Sequence, residues 1–173
     1  MDCILQVIVI ACEVLAGKSK IKRRSGCPVS LSLELLGDRW TLLIIRDLMV
    51  RACRTFKEFR EGGEGIATNI LADRLQKLEQ NEIITASVEQ GDGRRVNYRL
   101  TEKGIDLAPL LLELLLWGAR HEETGAPAAV IRKIENNSGE FLAEVRRRWQ
   151  RGDSTPALPK FGDGGTSRKL RKE

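Results

Sequence analysis

Between Thr101 and Glu123 the chain reads TEKGIDLAPLLLELLLWGARHEE. Leu110, Leu111, Leu112, Leu114, Leu115, Leu116 and Trp117 are interrupted only by Glu113, so a helix here is apolar on nearly every side. Such a helix has to be covered on several faces. In a chain of 173 residues the expected cover is the same helix of a second copy, which makes the protein a homodimer. The dimer contact is assigned to Leu111, Leu112, Leu115, Leu116 and Trp117. The alternative is a central core helix wrapped by the rest of one monomer. Pro109 predicts a bend in the helix.

The segments before it are shorter. Cys27-Pro28 opens the body, and Leu31, Leu35 and Leu36 in VSLSLELLGDRW stand at helical spacing, with Gly37 expected to close that helix in a left-handed conformation. Asp38 caps the next helix, RWTLLIIRDLMVR, whose apolar stripe is Trp40, Leu43, Ile44 and Leu48. Thr55 and Glu58 have the spacing of a capping box, in which each side chain satisfies the other's end of the backbone, and Phe56 and Phe59 can face the core. After the glycine-rich EGGEG, the stretch GIATNILADRLQKLE puts Leu71, Leu75 and Leu78 on one helical face with Ile70 beside them. Thr68, Asn69, Ala72, Asp73, Gln76 and Lys77 fall on the other face. Two short helices with a tight turn, the second anchored along one stripe, are the sequence form of a helix-turn-helix.

A hairpin is expected next. Ala86 and Val88 alternate with polar residues in ITASVEQ, and Val96, Tyr98 and Leu100 do so in RVNYRL. Asp92-Gly93 between two alternating strands is a strong turn signal, because a primed turn needs positive φ at both central residues. Arg94 and Arg95 would stand at its tip. A hairpin directly after such a helix is a wing. Beyond TGAPAA, helical stretches are expected near AVIRKIEN and GEFLAEVRRRW, and the tail from Gly152, rich in Gly, Pro, Ser and Lys, is expected to be largely unfolded.

Composition excludes more than it selects. With 42% hydrophobic and 31% charged residues the chain reads as soluble and globular. The net charge of +5 leans towards polyanions, yet Cys27 to Arg120 holds 13 basic against 14 acidic residues. The excess lies in KSKIKRR (Lys18 to Arg24), RRRWQR (Arg146 to Arg151) and the terminal SRKLRKE, each of which reads first as a solvated face. Cys3, Cys12, Cys27 and Cys53 lack CxxC spacing, and the sole histidine, His121, sits among Arg120, Glu122 and Glu123 as a helix-end residue. No metal, no cofactor and no enzyme activity is expected. The opening MDCILQVIVIACEVLA is too short in its apolar run to span a bilayer and lacks a positive leading segment. It reads as an appended segment outside the fold, with a short membrane anchor as the alternative.

Taken together, Cys27-Pro28, GDRWTLLIIRDL, Phe56 and Phe59, GIATNILADRLQKLE, RRVNYRLTEKG and Trp117 resemble the HxlR-type family of prokaryotic transcription regulators, in order from about Cys27 to Glu123. The resemblance implies a homodimeric winged helix-turn-helix of the mainly α class, with a small β-hairpin wing, a long dimerisation helix and a helical C-terminal extension. It places the recognition helix within Gly65 to Gln80 and the wing within Glu89 to Val96. It implies a cytoplasmic protein whose partners are double-stranded DNA, a second copy and a small-molecule or oxidant effector, with no membrane expected. Residues 1–16 lie outside the family pattern.

The expected organisation is an extension over residues 1–26, the DNA-binding domain over 27–124, a helical extension over 125–151 and a basic flexible tail over 152–173. Thr68, Asn69 and Asp73 are assigned to base reading, since short polar side chains at the start of a helix in the major groove reach base edges. Lys77 takes the flank. Arg74 is left between a phosphate contact and an internal salt bridge. Arg94 and Arg95 are assigned to phosphate or the adjacent minor groove, and Thr55 and Lys57 to the backbone, with capping as the safer role for Thr55. Some members of the family sense oxidants or electrophiles through a cysteine near the start of the domain, and Cys27, following Lys22, Arg23 and Arg24, occupies that place. The expected function is a sequence-specific regulator, a repressor acting on an inverted repeat. A protein-interaction scaffold of the same fold is the alternative.

Overall fold

The computed structural model describes residues 26–89, 92–158 and 161, the side chains of 89 and 92–94 excepted. Readings made on residues 1–25, 90–91, 159–160 and 162–173, and on the Arg94 side chain, lie outside the described residues. Two units are present, one ending at Gly37 and one beginning at Asp38.

In the first unit Pro28 opens α1 (Pro28–Leu36) with its ring fixing a helical φ where no N–H is needed. Cys27 is the N-cap, with extended backbone and no side-chain capping bond. Gly37 is not left-handed as expected: its φ is −73°. Its N–H returns to the Leu33 carbonyl at 2.8 Å, and a Cβ there would stand 2.3 Å from that oxygen. Close approach, not handedness, calls for glycine here.

In the second unit the Asp38 carboxylate accepts the Trp40 and Thr41 N–H groups at 3.0 and 3.1 Å and opens α2 (Arg39–Val50). Its buried apolar residues are Ile44, Ile45 and Leu48, while Trp40 and Leu43 are half-buried, so the burying face is rotated towards Ile45. The capping box forms at α3 (Phe56–Arg60): Thr55 Oγ1 accepts the Glu58 N–H, and Glu58 accepts the Thr55 N–H at 2.9 Å. In α4 (Thr68–Gln80), Leu71, Leu75 and Leu78 are buried, and the helix packs on α2, α3 and the first strand of the hairpin.

β1 (Ile84–Glu89) pairs antiparallel with β2 (Asp92–Leu100), with Ile84 opposite Leu100, Ala86 opposite Tyr98 and Val88 opposite Val96. One face therefore runs from buried Ile84 and Leu100 at the base to exposed Val88 near the tip. The expected turn at Asp92-Gly93 is displaced: both residues belong to β2, and the register breaks between Val88 and Glu89. Alternation fixed the strands and their facing pairs, but an Asp-Gly pair can also be absorbed into an irregular ladder.

The long apolar helix is broken instead of bent. α5 (Glu102–Ile105) is capped by Thr101, and α6 (Ala108–His121) begins with Pro109 in its first turn, where the missing N–H has no partner to lose. α7 (Ala128–Asn136) and α8 (Ser138–Arg151) then pack back on α6. Leu112 and Leu116 form a core with Ile134 and Leu158, flanked by Leu115, Phe141, Leu142 and Phe161. Leu112 and Leu116 were assigned to the dimer contact; they are instead covered by the chain's own C-terminal helices. The amphipathic faces of α7 and α8 supply the apolar surface that a second copy was invoked to provide, and each leucine so buried contributes about 1.5–3 kcal/mol.

The described part of the tail, Gly152 to Leu158 and Phe161, departs from expectation. Gly152 ends α8 in the left-handed conformation, after which the N–H groups of Ala157 and Leu158 both donate to the Val50 carbonyl, at 2.8 and 3.3 Å. Arg54 donates to Leu48 O, Cys53 O and Asp153 O, tying the end of α2 to this returning segment. Apolar Leu158 and Phe161 outweigh the polar composition around them.

Candidate nucleic-acid interface

The turn between α3 and α4 is built by charge. Asp47 of α2 is nearly buried; its Oδ1 lies 2.7 Å from Arg46 and 3.3 Å from Arg51. Arg46 Nη1 reaches Glu64 at 2.8 Å, and Arg51 Nη1 donates to Gly62 O at 3.4 Å. Burial pushes the Asp47 carboxyl up, against the pull of Arg46 and Arg51. Burial also works against the Glu64 carboxylate, but the bond and charge of Arg46 and then Arg51 outweigh it and hold Glu64 below its ordinary value. Gly65 follows with φ +71°, a conformation costly for any residue with a Cβ. Ala67 is the N-cap of α4 and makes no side-chain capping bond, so the first turn presents bare amides that attract phosphate.

Thr68 and Asn69 are exposed in this first turn, and Ala72, Gln76 and Lys77 are exposed on the same helix. Asp73 is partly engaged: its Oδ2 lies 2.5 Å from Arg74 Nη1 and 3.0 Å from Lys77 Nζ. Arg74 turns towards the body, its Nε 3.0 Å from Asp38 Oδ1. That contact is an ion pair without hydrogen-bond alignment, since the buried Nε has no hydrogen-bond partner. Asp38 is pushed up by partial burial, yet the Thr41 hydroxyl and N–H, then Arg74, bring it below the usual carboxylate value. Of the two roles left open for Arg74, the geometry favours the internal salt bridge: it ties α4 to the cap of α2.

Thr55 is buried at the α3 N-terminus and forms a bridge with Asn97 of β2. Its hydroxyl accepts the Glu58 N–H and caps the helix, the safer of its two roles. Lys57 is exposed on α3. The wing is clamped to this helix start: the Tyr98 N–H donates to Arg54 O at 2.7 Å, and the Tyr98 ring stands 6.1 Å from that of Phe59. Arg95 is exposed on β2, and its charge is felt by Glu58. That carboxyl is raised by partial burial but lowered further by the N–H groups of Arg54 and Thr55, the Thr55 hydroxyl and then Arg95.

α8 is bolted to the hairpin base. Trp149 Nε1 donates to Leu100 O at 2.8 Å, Arg99 Nη2 donates to Trp149 O at 2.5 Å, and Arg146 pairs with Asp106. These links and the Arg46–Asp47–Arg51–Glu64 cluster escaped the sequence reading. The clustering of Arg46, Asp47 and Arg51 along one helix was the only available signal, and it does not reveal Glu64 as the fourth member. Cys27 is exposed. Cys53 is different: burial first, then the charges of Asp47 and Glu58, push its thiol up to about 11. Among the described residues there is no metal-binding cluster and no helix long and apolar enough to cross a membrane.

A two-helix unit with a polar, exposed first turn on its second helix, flanked by a two-stranded wing, is the winged form of the helix-turn-helix. The family model for the HxlR-like helix-turn-helix matches residues 35–126. The chain belongs to the HxlR-like helix-turn-helix family. It is a DNA-binding transcription regulator by that membership. It is similar to the HTH-type transcriptional regulator YodB of Bacillus subtilis (strain 168), with 41% identity over 100 residues, covering 57% of this chain and 88% of YodB. Among solved structures, PA1607 is similar at a TM-score of 0.53 and 37% identity, over 57% of this chain and 68% of that one. The redox regulator HypR in its oxidized form is similar at a TM-score of 0.50 and 28% identity, over 56% of this chain and 98% of that one. In this family member α7, α8 and the returning tail lie beyond the matched region.

Proposed function

We propose that the protein acts as a homodimer on an inverted-repeat operator and represses transcription there, with the first turn of α4 in the major groove. The observation that carries this reading is the exposed Thr68-Asn69 turn, uncapped by any side chain and held out by a leucine-lined underside. Asparagine can pair with adenine through two bonds, and threonine with either a base edge or phosphate. Lys77 takes the flanking backbone, Arg94 and Arg95 the phosphates or minor groove beside the wing, and Lys57 the backbone before α3. Asp73, paired with Arg74 and Lys77, reads bases only by exchanging those partners, and Arg74 serves as a positioning residue.

Dimerisation is assigned to the outer side of α6. Leu110, Leu114 and Trp117 are 43%, 45% and 55% exposed and recur at helical spacing. Leu111 and Leu115, half-buried, flank that stripe. Such a contiguous apolar face needs cover.

Redox or electrophile sensing through Cys27 is the second part of the proposal. It is supported by the similarity to HypR, a redox regulator, and by the exposure of Cys27 at the start of α1. Cys53, kept protonated, is a poor alternative nucleophile. One experiment tests both parts: a mobility shift on the DNA upstream of the protein's own gene, at two salt concentrations, with and without peroxide. Binding that falls steeply with salt supports phosphate contacts on duplex DNA. A peroxide response present in wild type and lost in Cys27→Ser supports sensing; wild-type affinity indifferent to peroxide ends it.

A further inference from the structure

A hairpin of two strands is marginally stable by itself, so the aim of the wing has to come from elsewhere in the molecule. Two residues apart, the Tyr98 N–H and the Leu100 C=O lie on the edge of β2 turned away from β1. The Tyr98 N–H donates to Arg54 O at 2.7 Å, and Leu100 O accepts Trp149 Nε1 of α8 at 2.8 Å. One attachment would let the hairpin pivot; two on one edge fix its direction. Both lean on the chain beyond α7. Trp149 belongs to α8, and the Arg54 side chain, which also donates to Leu48 O and Cys53 O, reaches Asp153 O at 3.1 Å. Arg99 adds a third link. Its Nη2 donates to Trp149 O at 2.5 Å, and its guanidinium stands 5.9 Å from the centre of the Trp149 ring. α8 is itself held firmly. Val145 is buried, the helix packs on α2 and α6, and Arg146 pairs with Asp106 just past α5.

We propose that the C-terminal extension is a strut that aims the wing at DNA, with Trp149 as its positioning residue. At about 3.3 Å per residue Arg95 stands roughly 16 Å beyond Leu100, so a hairpin tilt of about 10° carries it about 3 Å, the length of a hydrogen bond. A small loss of direction at the base therefore costs contact at the tip. The inference rests on the DNA-binding reading and extends it: α8 lies beyond residue 126, where the matched family region ends, and here takes a part in operator contact without touching DNA.

Trp149→Phe keeps the ring and the Arg99 stacking and removes only the N–H that Leu100 O accepts. Its affinity for the DNA upstream of the protein's own gene is measured in the full chain across a salt series, alone and combined with Arg94→Ala plus Arg95→Ala. Trp149→Phe is expected to weaken binding about threefold to tenfold, the worth of one hydrogen bond, and to flatten the salt dependence as phosphate contacts at the wing are lost. In the Arg94→Ala, Arg95→Ala background it is expected to change affinity by less than about twofold, because the contacts it aims are already gone. The same loss in both backgrounds, or no loss in either, overturns the proposal, since a residue that only stabilises the fold acts alike in the two. If Trp149→Phe does not fold, Arg99→Gln carries the same cycle. Wild-type protein that binds no DNA would remove the regulator reading instead. Amide exchange still tests the strut in that case: Trp149→Phe is expected to speed exchange along Ile84 to Leu100 and leave Ile44 to Leu48 unchanged. Hairpin exchange as slow as in wild type, or equal acceleration in both segments, overturns it.

Discussion

At the scale of single residues, Asn69 and Thr68 differ from their neighbours in having no structural task. Leu71 holds the helix to the core, Arg74 reaches Asp38, and Asp73 pairs along the helix, whereas Asn69 is exposed in a turn that needs no cap from it. Asn69→Ala is therefore expected to leave stability nearly unchanged and to remove about 1–3 kcal/mol of discrimination between operator variants. A panel of base-substituted operators that ranks the same for wild type and variant would show that Asn69 reads nothing. The carboxylates that surround this turn carry a different signature. Asp38, Glu58 and Glu64 are all held below their ordinary values when folded. A depressed carboxylate lends stability above its unfolded pKa and loses it as pH falls through the folded value. Asp47, pushed up by burial, works in the opposite sense. Because three such groups oppose one, melting temperature is expected to fall between about pH 5 and pH 2 as the three protonate. Glu58→Gln, which keeps the capping geometry without the charge, should flatten that fall; an identical pH profile would remove Glu58 from the account.

Elements were legible where one local rule decided them. The Thr55–Glu58 box, the Asp38 cap and the leucine stripe of α4 each follow from spacing within a single turn or face, and the structure carries all three. Where several segments could satisfy the same need, spacing was silent. A helix as apolar as α6 announces that it needs cover but not whose. Leu112 and Leu116 are covered by α7, α8 and Leu158 of the same chain, and only the outer stripe is left. Glu64 was hidden for the same reason, since it joins Arg46, Asp47 and Arg51 only once α2 and the turn are folded together. The outer stripe makes the prediction at this scale. Leu114→Glu with Trp117→Glu should convert a dimer into a folded monomer in sedimentation, and weaken operator binding accordingly. A double variant that remains dimeric would place the contact elsewhere.

Across the whole molecule, the winged unit and the C-terminal helices are fastened at several points. Trp149 and Arg99 join α8 to the hairpin base, Arg54 joins α2 to Asp153, and Ala157 and Leu158 return to Val50. The matched family region ends at residue 126, so this framing of the DNA-binding unit is carried by residues that family membership does not describe. Polar composition concealed it, because only two large apolar side chains of the segment, Leu158 and Phe161, join the core while its other ties are hydrogen bonds. The resulting body offers DNA one exposed helical turn and one wing per copy. Hydroxyl-radical footprinting of the full-length protein on its bound upstream fragment tests that arrangement most directly. The account predicts two inverted protected half-sites centred about one helical turn, roughly 34–36 Å, or a multiple of it apart. A single asymmetric half-site at saturation would contradict it.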